Sequence, residues 1–191
     1  MPGIGPISTG DDAADQGVGW LPEESVATIH RGLNLTLRPV PLTEARLLLT
    51  GRPTEAMRQS WHPEYPLADT LSALALVIGA YEATAGPLVQ QPAWWVSQIV
   101  VDSWVVGDIG FHGPPGDQTP HRVEIGYCVV PAWRGRGVAS RACALIVDQA
   151  WTLGAAVIMA DTESDNLASQ RVLLRNGFRS VGGPTYRIDR P

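Results

Sequence analysis

The chain contains no lysine: its 191 residues carry 14 basic side chains, and every one is arginine. That absence excludes a Schiff-base lysine, a PLP-binding lysine and the lysine of a nucleotide-binding P-loop. Cysteine is nearly absent too. Cys128 and Cys143 stand alone, with no His or Cys at ligand spacing, so neither a metal site nor a disulfide framework is indicated. A reducing, cytoplasmic setting is the expectation. Long apolar runs are missing: none approaches the ~20 residues of a membrane span, and the N-terminus lacks a basic start followed by an apolar stretch. Membrane and export roles are therefore not expected. Residues 1–30 lack arginine but hold Asp11, Asp12, Asp15, Glu23 and Glu24, which account for the whole net charge of −5. The remainder balances acids against scattered arginines, which argues against nucleic acid as a partner.

Apolar residues make up 45% of the chain, enough for a buried core. Residues 1–30 lack periodicity and read as an acidic, flexible extension; residues 31–191 read as a single domain. Leu33, Leu35 and Leu37 alternate with polar neighbours as a strand, and Thr43 can cap a short helix over 44–50. Trp61–Pro66, WHPEYP, is a proline-stiffened aromatic loop. Asp69 can cap a second helix with Leu71, Leu74, Ala75 and Ile78 on one stripe. Three strands follow at 94–101, 103–111 and 123–130. A helix starts near Gly137, with Val138, Ala142, Leu145, Ile146, Gln149 and Leu153 facing inward. A buried strand (155–160), a helix over 166–176 capped by Asp165 or Ser164, and a strand pair at 178–181 and 185–188 complete the order. The expected fold is α+β, β-α-α-β-β-β-α-β-α-β-β, a mixed, mostly antiparallel sheet of six to seven strands with helices on both faces.

The segment carrying chemistry is Arg134-Gly135-Arg136-Gly137-Val138-Ala139, between a strand and an amphipathic helix. Two glycines permit positive φ and close approach, free helix-start amides converge on one point, and the dipole there favours an anion. The segment reads as a phosphate or pyrophosphate cradle. It lacks the Gly-Lys-Ser/Thr ending of a P-loop and the third glycine of a dinucleotide fingerprint.

The run VEIGYCVVPAWRGRGVASRAC closely resembles motif A of the GNAT family of N-acetyltransferases, whose Arg/Gln-x-x-Gly-x-Gly/Ala signature is met by Arg134, Gly137 and Ala139. The run from Asn166 to Phe178 is similar to the family's second motif, in the branch of ribosomal-protein N-terminal acetyltransferases. Strong resemblance covers about 103–182, and weaker agreement in element order reaches back to residue 33.

The resemblance implies acetyl-CoA as co-substrate and no metal. Its pyrophosphate would lie on the amides of Arg134–Ala139, its pantetheine arm along Tyr127, Cys128, Val129 and Val130, with Asn166 reaching that arm. A bulge near Cys128–Val130 would splay the strand from its neighbour. Glu124 matches the family's base, its pKa expected to rise in a partly buried cleft, with Asp108 in reserve. A backbone N–H of Val129 or Val130 would stabilise the oxyanion. Leu173 stands where many relatives carry a tyrosine acid, so Ser169 takes that role, ahead of Tyr127, Cys128 and Tyr186. The acceptor, a small-molecule or peptide amine, would meet Trp61, His62, Glu64, Tyr65, Asp108 and the 182–186 stretch. Beyond Glu64, Glu124 and Asp108 nothing signals an acidic cleft for a polycation. Alternatives left open are a resistance-type acetyltransferase acting on an antibiotic or amino-acid analogue, and a non-catalytic acyl-CoA-binding module. A homodimer is compatible with the resemblance, though no sequence feature specifies one.

Overall fold

The computed structural model describes residues 33–85, 92–116, 119 and 121–191. The extension read at 1–30 lies outside them. The elements are β1 (Leu35–Pro39), α1 (Leu42–Leu49), α2 (Glu55–Arg58), α3 (Ala68–Ala85), β2 (Val96–Val101), β3 (Trp104–Phe111), β4 (Arg122–Val129), a 3-10 turn (Pro131–Trp133), α4 (Val138–Thr152), β5 (Val157–Asp161), α5 (Leu167–Arg175), β6 (Arg179–Gly182) and β7 (Thr185–Asp189). The expected order stands, with the one-turn helix α2 added; Thr54 caps it through the Met57 N–H.

Seven strands form one sheet in the order β1-β2-β3-β4-β5-β7-β6. Every neighbouring pair is antiparallel except β4 with β5. The parallel pair is short: it matches Arg122 to Val157, Val123 to Ile158 and Glu124 to Met159, and then the strands part. No bulge accompanies the parting. The β3–β4 register runs unbroken from Phe111↔Ile125 to Gly107↔Val129, which corrects the expected irregularity at 128–130. Successive strand residues point to opposite faces. Tyr127 meets Ser169 of α5 while Cys128 meets Thr70 of α3, so α3 and α5 lie on opposite sides of the sheet.

Ile99, Ile109, Phe111, Ile125 and Ile158 fill the sheet's core, with Leu74 and Val77 from α3 and Ala142, Cys143 and Ile146 from α4. Two expected stripes are rotated. On α3 the inward line is Thr70, Leu74 and Val77, leaving Ala75 exposed; on α4, Leu145 and Leu153 face outward while Cys143, Val147 and Ala150 are buried. Caps differ as well. Helix α1 begins after Pro41 without a side-chain cap, and Asn166 itself caps α5 by accepting from the Ser169 N–H at 3.1 Å.

Close approach of β3 to β4 depends on Gly107, where an added Cβ would stand 2.2 Å from the carbonyl oxygen of Cys128. A backbone atom cannot swing aside, so Gly107→Ala should cost about 1–3 kcal/mol, read as a lower urea midpoint at unchanged m-value. An unchanged midpoint would show that the strands yield freely here.

Candidate active site

Two adjoining clefts open where β4 leaves β5. One, of about 420 Å3, runs from Tyr127, Cys128 and Val129 to the start of α4 and the side of α5. The other, of about 560 Å3, lies between α3, the β3–β4 wall, the end of β5 and α5. They share Asp69, Tyr127, Cys128, Asn166 and Ser169.

The smaller cleft is built from the arginine–glycine segment. After Val130 the chain turns through Pro131–Trp133, then passes Gly135 at φ 75° and Gly137 at φ 78°, a conformation that disfavours side chains. Gly137 is the N-cap of α4, so the first amides of that helix have no partner within it and face the cleft with the positive end of its dipole. Gly135, Gly137, Val138 and Ala139 line the cleft, as do Arg134, Arg171 and Arg175. The last two escaped the sequence reading, although their four-residue spacing on one helix puts them on one face. Arg136 stands outside, its guanidinium 5.1 Å from the ring centroid of Trp133.

Along β4 the backbone alternates. The His112 N–H donates to Glu124 O at 3.0 Å and the Val130 N–H to Val106 O at 2.9 Å, so even-numbered residues turn their polar groups to β3. Val130 is thereby spent and buried, and it lines neither cleft. Tyr127 and Val129 turn theirs toward the gap left by β5; the Val129 carbonyl accepts from Arg134 Nε at 2.8 Å, which leaves its N–H facing the gap. A donor strand edge beside a helix N-terminus and three arginines suits an extended, doubly phosphorylated ligand.

At the junction, Tyr127 OH lies 2.8 Å from Ser169 Oγ. Burial pushes the Tyr127 phenol up to about 12, so it keeps its proton. On the opposite face of β4, Asp108 is 3% exposed, accepting from the hydroxyl of Thr70 and from Cys128 Sγ at 3.3 Å. Burial raises its carboxyl to about 6 despite both bonds. The Cys128 thiol is raised by burial and by Asp108, so it stays protonated, against a covalent route through sulfur.

Glu124 departs from expectation. It lines neither cleft, and its Oε1 lies 3.0 Å from His112 Nδ1. That hydrogen bond holds its carboxyl below the ordinary range rather than above it. His112, unremarked in the sequence, does line the larger cleft.

The aromatic loop packs against the sheet. Trp61 and Tyr65 are buried and meet edge-on at 5.3 Å. Residues 60–62 pair with Val105 beyond the end of β4, through Val105 N–H to Ser60 O at 2.8 Å and His62 N–H to Val105 O at 3.0 Å. Glu64 accepts from the Ala132 N–H at 3.1 Å and lies near His62, fastening the loop to the turn that precedes the cradle. Of the residues read as acceptor-binding, Asp108 alone lines a cleft; Pro184 joins it from the 182–186 stretch. The larger cleft instead gathers Asp69, Asp108, Asp161 and Glu163 and is lined by no arginine. The neutral composition concealed that convergence.

A model of the acetyltransferase (GNAT) domain matches residues 34–179. The chain belongs to the GNAT family. The uncharacterized N-acetyltransferase YoaA of Bacillus subtilis strain 168 is 38% identical over 79 residues, spanning 41% of this chain and 44% of that relative, less than half its length. Among solved structures, yncA of Salmonella typhimurium with acetyl-CoA superposes at TM-score 0.53 and 20% identity, covering 81% of this chain and 93% of that one. The ribosomal L7/L12 alpha-N-protein acetyltransferase RimL does so at 0.51 and 19%, covering 82% and 90%. These likenesses carry the fold. Among the described residues no cluster could hold a metal, and no helix is long and apolar enough to cross a membrane.

Asp108 generates a prediction with a definite sign. Its carboxyl titrates near 4 when unfolded and about 6 when folded, so the folded chain binds the extra proton in between. Stability from this group is therefore greatest below that window and falls as pH rises through it, by roughly 2–3 kcal/mol. The difference in unfolding free energy between wild type and Asp108→Asn, measured in urea from pH 4 to 7, should change by that amount. A difference independent of pH would remove burial of Asp108 as its cause.

Proposed function

We propose that this GNAT-family chain transfers an acetyl group from acetyl-CoA to a primary amine by direct attack within a ternary complex. The observation that carries this reading is the meeting of two clefts at Tyr127, Cys128, Asn166 and Ser169, one arginine-lined and the other carboxylate-lined. Bound acetyl-CoA supplies the acyl group as a thioester. Amides at the start of α4, with Arg134, Arg171 and Arg175, hold phosphate, and the open edge of β4 at Tyr127 and Val129 pairs with the extended arm. The Val129 N–H is the donor available to a carbonyl oxygen.

Ser169 and Tyr127 supply the proton needed by a leaving sulfur. Tyr127 keeps its hydrogen at neutral pH; its hydroxyl donates to the Ser169 carbonyl oxygen at 3.2 Å and lies 2.8 Å from Ser169 Oγ, close enough to replace a proton that Ser169 gives up. Leu173, buried beside the larger cleft, left a non-catalytic acyl-CoA binder open as an alternative. The paired hydroxyls provide what the missing tyrosine would, which supports the enzyme. Asp69, Asp161 and Glu163 favour an acceptor that arrives as an ammonium ion and carries further positive charge, over an acidic one.

Calorimetry should show acetyl-CoA bound with 1:1 stoichiometry. Gly137→Val forces a side chain onto φ 78° and should weaken binding at least tenfold, as should Arg134→Ala combined with Arg171→Ala. Thiol release should then require an amine, faster with diamines and basic peptides than with acidic amino acids. Acetyl-CoA binding indifferent to these substitutions, or a reversed acceptor preference, would defeat the reading.

A further inference from the structure

We infer that His112 is the base that deprotonates the acceptor amine and that Glu124 is a positioning residue holding the imidazole in the reactive tautomer. The inference rests on the acetyl-transfer reading and names the group that this reading leaves unassigned.

His112 follows the end of β3, directly across from Glu124 of β4, with which its backbone N–H also bonds. Its Nδ1 is 3.0 Å from Glu124 Oε1. An ionised carboxylate can only accept, so Nδ1 carries the hydrogen of that bond, and in the neutral ring Nε2 holds the lone pair. The ring lies over Gly126: a Cβ on that residue would stand 2.5 Å from Nε2 and 3.4 Å from Cε1. Gly126 and His112 both line the larger cleft, whereas Glu124 lines neither. Glycine at 126 therefore makes room for the imidazole, which stands on the cleft wall with Nε2 over Gly126. The location is also right. β4 and β5 last pair at Glu124↔Met159, so Gly126 lies at the apex of the parting, the end of the β4 edge farthest from the cradle.

Asp108 is the rival on the same wall, but its Oδ2 already accepts from both Thr70 and Cys128, and it sits opposite Cys128, nearer the cradle. In the reaction the acceptor ammonium loses one proton to Nε2, and its nitrogen lone pair forms the N–C bond. The C–S bond breaks with its electrons on sulfur, which takes the second nitrogen proton's equivalent from the Ser169–Tyr127 pair. That pair recovers the proton from the product nitrogen, and His112 releases the other to solvent.

Substitutions at four positions and one spectrum decide the matter. His112→Ala should lower kcat at least a hundredfold with little change in KM for acetyl-CoA, and added imidazole should restore part of it. Glu124→Gln, which can still accept from Nδ1, should lose less than tenfold, while Glu124→Ala loses more. Gly126→Ala should lower kcat with the imidazole still present, because the methyl displaces it. In 15N spectra of histidine-labelled protein at alkaline pH, the signals lost in His112→Ala should show a protonated Nδ1 and a bare Nε2 in wild type, and a mixture in Glu124→Ala. Equal and severe losses in Glu124→Gln and Glu124→Ala with an active His112→Ala would make Glu124 the base. A severe loss in Asp108→Asn with an active His112→Ala would transfer the role to Asp108. A proton on Nε2 in the wild-type spectrum overturns the inference even if no acceptor turns over. Failure of acetyl-CoA to bind, by contrast, strikes the transferase reading and leaves the tautomer as measured.

Discussion

Everything at the candidate site depends on two parallel strands that pair for three residues and then separate. Buried backbone groups need partners, and a strand that loses its neighbour presents a row of unspent donors and acceptors. Here each strand is clamped on its far side. β4 stays in register with β3 through Val129, and Val130 continues to Val106; β5 stays with β7 through Asp161↔Thr185. Ordinary sheet twist between two clamped pairs therefore suffices to open the gap, without a bulge. Residues 60–62 take up Val105 where β4 ends, which keeps β3 paired while β4 turns off toward the cradle. The aromatic loop thus supports the wall of the site.

Much of this was legible in the sequence because it is local. Alternation located the strands, and glycine spacing before an amphipathic helix located the cradle, since both signals lie within a few consecutive residues. What escaped depends on register between distant segments. His112 and Glu124 are separated by a loop, and only the unbroken β3–β4 register puts them side by side. Pattern alone assigned α3 a stripe through Ala75, whereas packing chose the line through Thr70, bringing a hydroxyl down onto Asp108. Trp61 and Tyr65 suggested a ligand pocket by residue type, but large aromatics are equally suited to burial, and the sheet had room for both.

Composition hid the electrostatics for a related reason: it reports an average. A body balanced between acids and arginines resolves into one cleft with Arg134, Arg171 and Arg175 and another with Asp69, Asp108, Asp161 and Glu163. Asp69 alone touches both clefts from the carboxylate side. The two clefts meet at β4, where Tyr127 and Cys128 line both. A surface suited to phosphate and one suited to ammonium are thus joined along one open strand edge.

That arrangement also accounts for polar groups that stability alone would not favour. Asp108 is raised to about 6 by burial, a cost only partly offset by Thr70 and Cys128. Glu124 faces the opposite balance: the His112 hydrogen bond outweighs its partial burial and holds its carboxyl below the ordinary range. Two carboxylates on adjacent strands are thus driven apart in acidity by their partners. One is kept as a permanent acceptor for an imidazole; the other titrates within the cleft wall. Such a separation marks the groups of a site by different work. It follows from the register of a single hairpin, in which Gly110 faces Gly126 between these pairs and the His112 ring covers Gly126.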